Sequence, residues 1–480
     1  MKTHKRLNHL NKRQIKLLHS TVLLFIIFLF NFFLCISTQS FAQTAKRRAA
    51  TMGLGANLSY LENYWNGTPA RHYGDYIKTV EVAKRKQMLA EMATQGIKTV
   101  RIPVCFSAWA TLNEPYQWDF PQNFAALDSV LKWTLANNMR AIIDLHHPEM
   151  DVKAFPTAAS LKRVNWLWSE IANRYKNTDP DRVLLELWNE PHDISAVAWE
   201  TTAKALIRTI RQICPDHTLI VGAQDWNGID ALNNSQPYTD PNIIYTFHSY
   251  DPFIFTHQGA SWAGMTDLKG VFFPYNGSIP PIPASIKGTW IEGAINNYKN
   301  EGTKEAITRQ LTKAKNWGVR NNVPVFCGEF GSYNEFADEV SRCNHAFAMF
   351  STLGMLEIPC AFWEWDGGFN LFRRGSTSTL SDCAKEALSL YTLRKEILGI
   401  ETAISWGLLV TPNPIIETFT IQSDLEIETI EIIDLTGKLL LSKKHIGSQV
   451  SISELPNGLY ILKALDKQNK VIGFKKVIKL

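Results

Sequence analysis

The chain has few cysteines, and none is arranged for metal or redox chemistry. There are seven among 480 residues, and no two stand in CxxC or zinc-ligand spacing. Cys35 lies in the amino-terminal segment considered below, which leaves Cys105, Cys214, Cys327, Cys343, Cys360 and Cys383. An exported protein could form disulfides from these six, but the count assigns no pairing. The cysteines within the apolar runs VFCGEF and IPCAFW are expected to be buried free thiols.

Two features common in other protein classes are also absent. No glycine-rich phosphate turn follows the first strand-like run, which argues against a doubly wound nucleotide-binding sheet. The formal net charge is only +5 and no basic stripe accompanies it, so the sequence predicts no nucleic-acid partner. No cofactor is predicted. The chain is instead rich in tryptophan, with 15 residues, a side chain that stacks on sugars but also fills protein cores.

The amino end has the three parts of a secretory signal. Six Lys or Arg and no acid occur in residues 1–20, followed by the apolar run TVLLFIIFLFNFFLCIS from Thr21 to Ser37. Ser40 and Ala42 then place small residues at the −3 and −1 positions of a cleavage site. The alternative is an uncleaved membrane anchor, but the run falls short of the about 20 apolar residues that a span needs. We predict that residues 1–42 are a signal peptide that is removed.

Short apolar runs alternate with amphipathic stretches from residue 52 to residue 396. Eight runs resemble strands: MGLGANLSY, IKTVRIPV, MRAIIDLHH, RVLLELWNEP, HTLIVGA, NIIYTFHSY, VPVFCGEFG and IPCAFWEWDG. Eight strands interleaved with helices are typical of a (β/α)8 barrel, and apolar strands suit a parallel sheet that is buried on both faces. The predicted fold class is therefore α/β, with a (β/α)8 TIM barrel in a catalytic domain over residues 43–400.

Two segments depart from this alternation. The stretch from Phe255 to Asn297 is rich in Gly, Pro, Ser and Trp, and we expect this long loop to wall the active cleft. After a linker over residues 401–410, residues 411–480 show short alternating strands with turn signals such as LTGK and LPNG. They predict a small all-β sandwich. No cluster of carboxylates, His or Cys occurs there, so no chemistry is expected in it.

Polar or aromatic side chains follow most of the strand-like runs. In a barrel, catalytic residues stand at the carboxyl ends of the strands, so these side chains are expected to meet on one face. Each of them alone has an ordinary structural explanation, whereas the set predicts a site. Its members are Arg101 in TVRIP, His146 in DLHH, Asn189 and Glu190 in LWNEP, His248 and Tyr250 in FHSYDP, Glu329 in CGEFG and Trp363 in FWEWDG.

Glu190 and Glu329 are the candidate catalytic pair. Cleavage of a glycosidic bond needs two carboxyls that flank the bond, one protonated and one ionised. Pro191 fixes the backbone after Glu190, and the glycines around Glu329 are expected to let a substrate approach the backbone. The adjacent pair His146–His147 lacks further ligands at helical or ribbon spacing, so a metal hydrolase is not expected and no metal is predicted.

The ordered motifs TVRIP, DLHH, LWNEP, FHSY, GEFG and FWEWDG resemble glycoside hydrolase family 5, the cellulase family, over about residues 52–396. The resemblance implies a retaining (β/α)8 glycosidase with Glu190 as general acid/base and Glu329 as nucleophile. It implies that Arg101 lies beneath the nucleophile and that Asn189 hydrogen-bonds the sugar 2-hydroxyl. Substrate-binding roles are also implied for His146 (or the adjacent His147), for His248 and Tyr250 beside the two carboxyls, and for Trp363 under the −1 sugar.

More distant sugar contacts do not follow from the resemblance. Trp65, Trp109, Trp118 and Trp262 are candidates for stacking on sugars, and core packing is nearly as good an explanation for each. The motifs also leave the preferred glycan open.

The tail resembles the carboxyl-terminal sorting domain of the type IX secretion system of Bacteroidota. The resemblance rests on PNP at 412–414, the IDLTGK turn, the LPNGLYIL strand and the basic end FKKVIKL. It implies export through the periplasm, the outer-membrane secretion machinery as a partner, and a secreted or surface-attached protein. A carbohydrate-binding module is the alternative, but the tail has no tryptophan after Trp406 and only one tyrosine, Tyr460.

The sequence as a whole predicts a monomeric, retaining endo-β-1,4-glucanase that acts on cellulose or related β-glucans. A β-mannanase or an exo-acting β-glucosidase of the same family remains an alternative, since the catalytic residues are shared. A non-catalytic glycan-binding protein on the cell surface is less well supported, because both carboxylates are present.

Overall fold

The structure, a computed structural model, describes residues 44–62, 82–147, 157–376 and 378–391, and in the tail 409–413, 415–423, 426–434, 438–444, 449–468 and 471–479. The predicted signal peptide and Trp65 lie outside these residues. The chain divides into two compact units, Met1–Tyr391 and Thr392–Leu480.

The first unit is a closed barrel of eight parallel strands in sequential order. The strands are β1 Leu54–Asn57, β2 Thr99–Val104, β3 Arg140–Leu145, β4 Val183–Glu186, β5 Leu219–Gly222, β6 Ile243–His248, β7 Val325–Glu329 and β8 Cys360–Phe362. Nearly every strand residue is buried, which explains the continuous apolar runs in the sequence. The predicted TIM barrel is confirmed.

Helices connect the strands and cover the outside of the barrel. The longer ones are α1 at 44–52, α2 Val82–Thr94, α3 Phe124–Ala136, α4 Ala158–Tyr175, α5 Ala196–Ile213, α6 Ile229–Asn234, α7 Trp290–Asn296, α8 Lys304–Asn321, α9 Glu339–Met355 and α10 at 382–391. Side-chain caps define several starts: Thr157, Ser195, Thr303 and Asp338 each accept a backbone N–H of the first turn. Of the described residues, no helix is both long and apolar enough to cross a membrane.

Helix α1 closes the amino-terminal end of the barrel. Three of its side chains pack against one buried residue from each of strands β3 to β8 (Ala45, Ala49 and Met52 against Ile142, Leu184, Ile220, Ile244, Phe326 and Ala361). Arg48, only 4% exposed, donates to the Asp216 carbonyl and to Oγ1 of Thr218, just before β5. The predicted cleavage site after Ala42 would leave this helix on the mature protein.

The segment expected to be a long loop is ordered but largely irregular. A helical turn at Phe253–Thr256 leads into it, α7 lies at its end, and a second turn, Tyr298–Glu301, directly follows it. The side-chain amide of Gln258 links two parts of this segment, because it donates to the Val271 carbonyl and accepts the Val271 N–H. Trp262 and Trp290 are 56% and 60% exposed. With Phe272, which is also exposed, the segment presents three large aromatic side chains to solvent.

Two of the six remaining cysteines are paired. A disulfide joins Cys343 on α9 to Cys383 on α10, which ties the last helix of the first unit to its neighbour. Cys105, Cys214, Cys327 and Cys360 are buried free thiols. The expectation for the runs VFCGEF and IPCAFW is thus confirmed.

The second unit contains two antiparallel sheets. Its strands are β9 Leu409–Thr411, β10 Thr418–Gln422, β11 Thr429–Ile433, β12 Leu439–Lys444, β13 Gln449–Ser451, β14 Gly458–Leu465 and β15 Val471–Lys479. One sheet has the order β13–β10–β9 and the other β12–β11–β14–β15. Phe419 of one sheet and Ile432 and Leu462 of the other share one hydrophobic core, as in a sandwich.

Candidate active site

The residues that the motifs singled out converge at the carboxyl-terminal end of the barrel. Arg101 lies within β2, His248 and Glu329 end β6 and β7, and the others follow β3, β4, β6 and β8. Glu190 stands four residues beyond the end of β4, with a left-handed backbone (φ 47°) that is rare for a non-glycine residue. The backbone of Glu190 is therefore held by contacts with neighbouring residues rather than by the hydrogen bonds between strands.

Glu329 is surrounded by hydrogen-bond donors. Arg101 donates from Nη1 to Oε1 at 2.7 Å, and the Tyr250 hydroxyl donates to Oε2 at 2.8 Å. Burial raises the pKa of Glu329 above its ordinary value, as does Glu190, while His248, Arg101 and the Tyr250 hydrogen bond oppose the rise. Burial, together with Glu329 and Glu190, also raises the pKa of Tyr250, so this hydroxyl keeps the proton that it donates.

Arg101 is completely buried and is shared by three carboxylates. Glu186 binds it through two parallel bonds, Nε to Oε2 at 2.7 Å and Nη2 to Oε1 at 2.9 Å, and Asp144 lies 3.0 Å from Nη2. Burial alone would lower the pKa of Arg101, but the three carboxylates raise it well above its ordinary value. The guanidinium is thus a permanent cation, and its fork is oriented by Glu186.

The same guanidinium orients two amides. Its Nη1 donates to Oδ1 of Asn57 at 2.9 Å and its Nη2 to Oδ1 of Asn189 at 2.8 Å. The Asn57 amide nitrogen donates to the carbonyls of Gly328, Ala361 and Phe362, which joins β1 to β7 and β8. Because Asn189 gives its oxygen to Arg101, its amide nitrogen faces Nε2 of His146, 3.3 Å away.

Glu190 faces Glu329 across a short gap. A carboxylate oxygen of each lies within 4.8 Å of the other and of a His248 ring nitrogen. Nδ1 of His248 is 2.6 Å from Oε1 of Glu190 and 3.5 Å from Oε2 of Glu329. Burial lowers the pKa of His248 to about 4, so the ring is neutral at neutral pH. A neutral ring has one donor and one acceptor nitrogen, and the partner of Nε2 decides which is which.

That partner is the Asn227 amide, 3.4 Å from Nε2 of His248. Asn227 is buried, and its hydrogen bonds are satisfied when its N–H group donates to the Ala223 carbonyl and its oxygen accepts the Glu190 N–H. In this orientation an amide oxygen faces His248, so Nε2 carries the proton and Nδ1 is the acceptor. The hydrogen bond between Nδ1 and Glu190 then requires a protonated Glu190, the state of a general acid.

On the opposite side of the cleft His146 lies between Asp144 and Trp363. Its Nδ1 is 2.6 Å from Oδ2 of Asp144, and its ring stacks on Trp363 with centroids 5.7 Å apart and an interplanar angle of 10°. The adjacent His147 instead contacts Glu62, with Nε2 2.8 Å from Oε1. The two histidines therefore have different partners, and His146 is the one beside Asn189 and Trp363.

The structure corrects the role that the sequence assigned to the glycines near Glu329. A Cβ at Gly328 would lie 2.6 Å from Oγ1 of Thr246 and 3.0 Å from Nε2 of His248. A Cβ at Gly331 would lie 2.1 Å from the Trp363 carbonyl oxygen. These glycines make room for neighbouring strands and their side chains rather than for a substrate.

The candidate stacking tryptophans differ in exposure. Trp109 is fully buried among Phe106 and Phe124 and belongs to the core. Trp118 is half-buried and packs against the core through Phe124 and Trp166. Trp262 is exposed and contacts Tyr333 edge to face. A further tryptophan, Trp226, is 53% exposed and stacks on His192, two residues after Glu190.

Sequence reasoning missed several groups of the site: Asn57, Glu62, Asp144, Glu186 and Asn227. Three of them carried a usable signal, because Asn57, Asp144 and Glu186 are polar residues inside otherwise apolar strand runs, and a buried polar group needs a partner. Glu62 directly follows a 3-10 turn and Asn227 ends a short helical turn after β5, and neither carries such a signal. Only the folded chain brings them to the site.

Comparisons with known proteins agree with this geometry. Residues 59–368 match the family described as Cellulase (glycosyl hydrolase family 5), and residues 409–479 match the Secretion system C-terminal sorting domain. Endoglucanase 3 of Fibrobacter succinogenes is 33% identical over 309 residues, which cover 59% of this chain and 46% of that protein. The chain thus spans about half the length of this relative.

Solved structures give the same result. A hyperthermophilic endo-β-1,4-glucanase in complex with substrate is 26% identical, with 72% of this chain and 99% of that chain covered and a TM-score of 0.59. Thermotoga maritima Cel5A in complex with mannotriose is also 26% identical, with 71% and 99% covered and a TM-score of 0.55. With most of its length matched, the chain belongs to the cellulase family, glycosyl hydrolase family 5.

Proposed function

We propose that this protein is an endo-β-1,4-glucanase that cleaves cellulose or a related β-glucan with retention of anomeric configuration. The observation that carries the proposal is the facing pair of carboxyls, Glu329 bound by donors and Glu190 bound by the acceptor nitrogen of His248. Their oxygens come within 4.8 Å. This spacing fits the about 5–5.5 Å of retaining enzymes and leaves no room for the water of an inverting enzyme.

In the first step Glu329 attacks the anomeric carbon while Glu190 protonates the departing oxygen. Arg101 and Tyr250 hold Glu329 ionised and fix both of its oxygens, so the nucleophile needs little reorganisation. The N–H groups of Asn189 face the space in which the sugar 2-hydroxyl would lie, and Trp363 offers a flat surface beneath the sugar. The product is a covalent glycosyl-enzyme with a new bond between Glu329 and C1.

In the second step Glu190, now ionised, takes a proton from water, which attacks C1 and releases Glu329. The change of role follows from charge, because glycosylation neutralises Glu329 and removes the neighbouring carboxylate that favours a protonated partner. His248 stays neutral through both steps, and its Nδ1 takes part only as the hydrogen-bond partner of Glu190. The enzyme returns to its starting state when Glu190 regains its proton.

The pair is tested by comparing Glu329→Gln and Glu190→Gln on two substrates. Glu329→Gln should lower kcat/KM by about a thousandfold or more on every substrate, roughly 4 kcal/mol of barrier. Glu190→Gln should be as severe on soluble cellulose but milder on aryl cellobiosides, whose leaving groups need no proton. With these aryl substrates added azide should accelerate turnover, since deglycosylation limits the rate.

Glu114→Gln is the matched control, because this exposed carboxylate pairs only with Lys162 on the surface. It should retain the parent activity. Equal losses for Glu190→Gln on both substrates, with no response to azide, would contradict its assignment as acid/base.

The substrate is tested by product sizes from soluble cellulose, barley glucan and mannan. We expect mixed oligosaccharides early in the reaction, because the exposed Trp226, Trp262 and Trp290 suit an open cleft that contacts several sugars. Glucose alone from the first minutes would indicate an exo-acting β-glucosidase. A β-mannanase is the second candidate, since a structural relative binds mannotriose. A higher kcat/KM on mannan than on every glucan would establish it.

We further propose that the tail directs the enzyme through the type IX machinery to the outside of the cell, where it is released or attached to the surface. The match to a sorting domain supports export, and the two sheets offer no exposed aromatic face among their described residues. Deleting residues 411–480 in the native host should leave active enzyme in the periplasm. Normal secretion of the shortened protein would refute this role.

A further inference from the structure

Glu62, His146 and His147 form a second group of candidate ligand atoms beside the catalytic carboxyls. One carboxylate oxygen and two ring nitrogens lie within 4.8 Å of one another. Oε1 of Glu62 is 2.8 Å from Nε2 of His147 and 4.0 Å from Nε2 of His146. Glu62 and His146 are 8% and 3% exposed, so the group is almost enclosed. Glu62 precedes His147 by 85 residues, which is why the His–His pair showed no third ligand in the sequence.

The orientation of His146 can be worked out from its neighbours. Arg101 is only a donor, so Asn189 turns its oxygen toward Arg101 and its N–H group toward Nε2 of His146, 3.3 Å away. Nε2 therefore carries a lone pair and Nδ1 carries the proton, which it donates to Asp144 at 2.6 Å. A lone pair and a carboxylate oxygen consequently face the same small space, an arrangement that attracts a cation.

These features match those of a zinc site. Two histidines and one glutamate are the protein ligands of several zinc enzymes, with a fourth position left for water. The Asp144 carboxylate behind His146 is the usual outer partner of a metal-bound histidine, since it fixes the tautomer and the ring orientation. The Glu62–His147 separation of 2.8 Å and the Glu62–His146 separation of 4.0 Å lie on either side of the about 3.3–3.4 Å between two ligands of a tetrahedral ion with bonds of about 2.0–2.1 Å, so the side chains would have to shift to bind it.

We propose that Glu62, His146 and His147 bind a zinc ion, and that the bound ion inhibits the enzyme by excluding sugar from the cleft. His146 contacts Asn189 and stacks on Trp363, so an ion held by His146 would occupy space beside the sugar that these residues are proposed to bind. The inhibition rests on the proposed function, whereas the binding does not.

The other group with ligand spacing, Glu190, His248 and Glu329, is a poorer site. Both oxygens of Glu329 already accept hydrogen bonds, one of them from the Arg101 cation, which would repel a metal ion. Nδ1 of His248 is engaged by Glu190. Metal binding there would have to break three short hydrogen bonds, one of them from a cation, whereas binding at Glu62 would break the Glu62–His147 hydrogen bond and displace the Asn189 N–H from Nε2 of His146. Zinc should therefore prefer the group that contains Glu62.

Binding is tested by calorimetric titration of the chelator-treated mature protein with zinc chloride. We expect one ion per chain, and affinity reduced about tenfold or more in both Glu62→Gln and His147→Gln. Glu114→Gln should bind zinc like the parent, and magnesium chloride should give no comparable signal, because magnesium prefers oxygen ligands. Thermal unfolding of each variant shows whether it is folded, and the zinc anomalous signal in a crystal locates the ion.

Inhibition is measured separately, with soluble cellulose and increasing zinc. The inhibition should be competitive, reversed by chelator, and weaker in Glu62→Gln and His147→Gln by the same factor as zinc binding. Zinc affinity unchanged in both variants, or an ion located between Glu190, His248 and Glu329, would overturn the proposed site. Tight zinc binding at Glu62 in a protein that hydrolyses no glycan would instead leave the site intact and refute the proposed function.

Discussion

The two carboxyls proposed to be catalytic, Glu190 and Glu329, occupy environments that differ in the direction of their hydrogen bonds. Glu329 accepts from a permanent cation and from a phenol, and both donors keep their protons. Glu190 faces a neutral histidine whose nearest nitrogen is an acceptor, as the Asn227 amide dictates. One pocket therefore stabilises a carboxylate and the other stabilises a carboxylic acid, although the two groups lie within 4.8 Å.

Under the proposed mechanism, this difference gives two roles to the same residue type. The two carboxyls differ in their hydrogen-bond partners. Arg101, oriented by Glu186, contacts Glu329, and His248, oriented by Asn227, contacts Glu190. Substitutions in these partners should therefore weaken one role and leave the other.

The largest effect is expected from Arg101→Lys. Lysine keeps the positive charge but lacks the fork that binds Glu186, Glu329 and two asparagines together. We expect kcat/KM to fall by about a hundredfold or more on soluble cellulose and on aryl cellobiosides alike, because the nucleophile is needed for both. Steady-state kinetics on the two substrates check this. A loss confined to cellulose would mean that Arg101 acts on the acid instead.

Tyr250→Phe should have the next largest effect and should also change the pH dependence. The Tyr250 hydrogen bond lowers the pKa of Glu329, and burial raises it. Glu329 must be ionised to attack, so activity falls as the pH drops through its pKa. Without the hydroxyl this pKa rises, so the acid limb of kcat/KM should move to higher pH. Loss of the hydrogen bond that orients the nucleophile should also lower kcat/KM at neutral pH by roughly tenfold. An acid limb that stays in place or moves to lower pH would contradict the assignment.

Asn227→Ala tests the acid side of the comparison and should have a smaller effect. Without the amide oxygen, Nδ1 of His248 can carry the proton and donate to an ionised Glu190, which weakens the acid. We expect about a tenfold loss in kcat/KM on cellulose, little change on aryl cellobiosides, and a basic limb at lower pH. Asn227→Asp keeps an acceptor for Nε2 and should be closer to the parent enzyme. Equal losses on both substrates would indicate only a structural role.

Deletion of residues 411–480 should have the smallest effect on either carboxyl. The barrel has its own hydrophobic core and forms a separate unit by its contacts. Activity of the purified protein on soluble glucan should therefore stay within about twofold of the full chain. A larger loss, assayed on protein with an unchanged thermal unfolding curve, would show that the tail contributes to the site.

Much of the fold was predictable because it depends on local patterns. Eight apolar runs with amphipathic stretches between them indicate a barrel, and strands buried on both faces cannot show the alternation of an open sheet. Helix α1 was not predicted, because it directly follows the signal segment and its apolar face consists of only a few small side chains. The role of that face becomes clear only when it packs against the end of the barrel. The Cys343–Cys383 pair was equally out of reach, since its partners are set by how two helices pack.

For the site, the motifs placed the eight predicted side chains at one end of the barrel, but they said little about what holds them. The motifs give no role to Glu186, which binds Arg101 through two hydrogen bonds, or to the amide of Asn227. Their contacts depend on how the strands lie relative to one another in the folded barrel. Sequence patterns therefore identify groups that touch a substrate more readily than the groups that fix their protonation.

The central claim, that Glu329 acts as nucleophile and Glu190 as acid/base in a double displacement, is tested most directly by the configuration of the first product. Proton NMR of a soluble β-glucan digest, recorded before mutarotation, distinguishes the two anomers. We expect the β-anomer to appear first and the α-anomer to grow only as mutarotation proceeds. Early appearance of the α-anomer would show inversion, with water attacking in a single step, and would contradict the assignment of Glu329 as nucleophile.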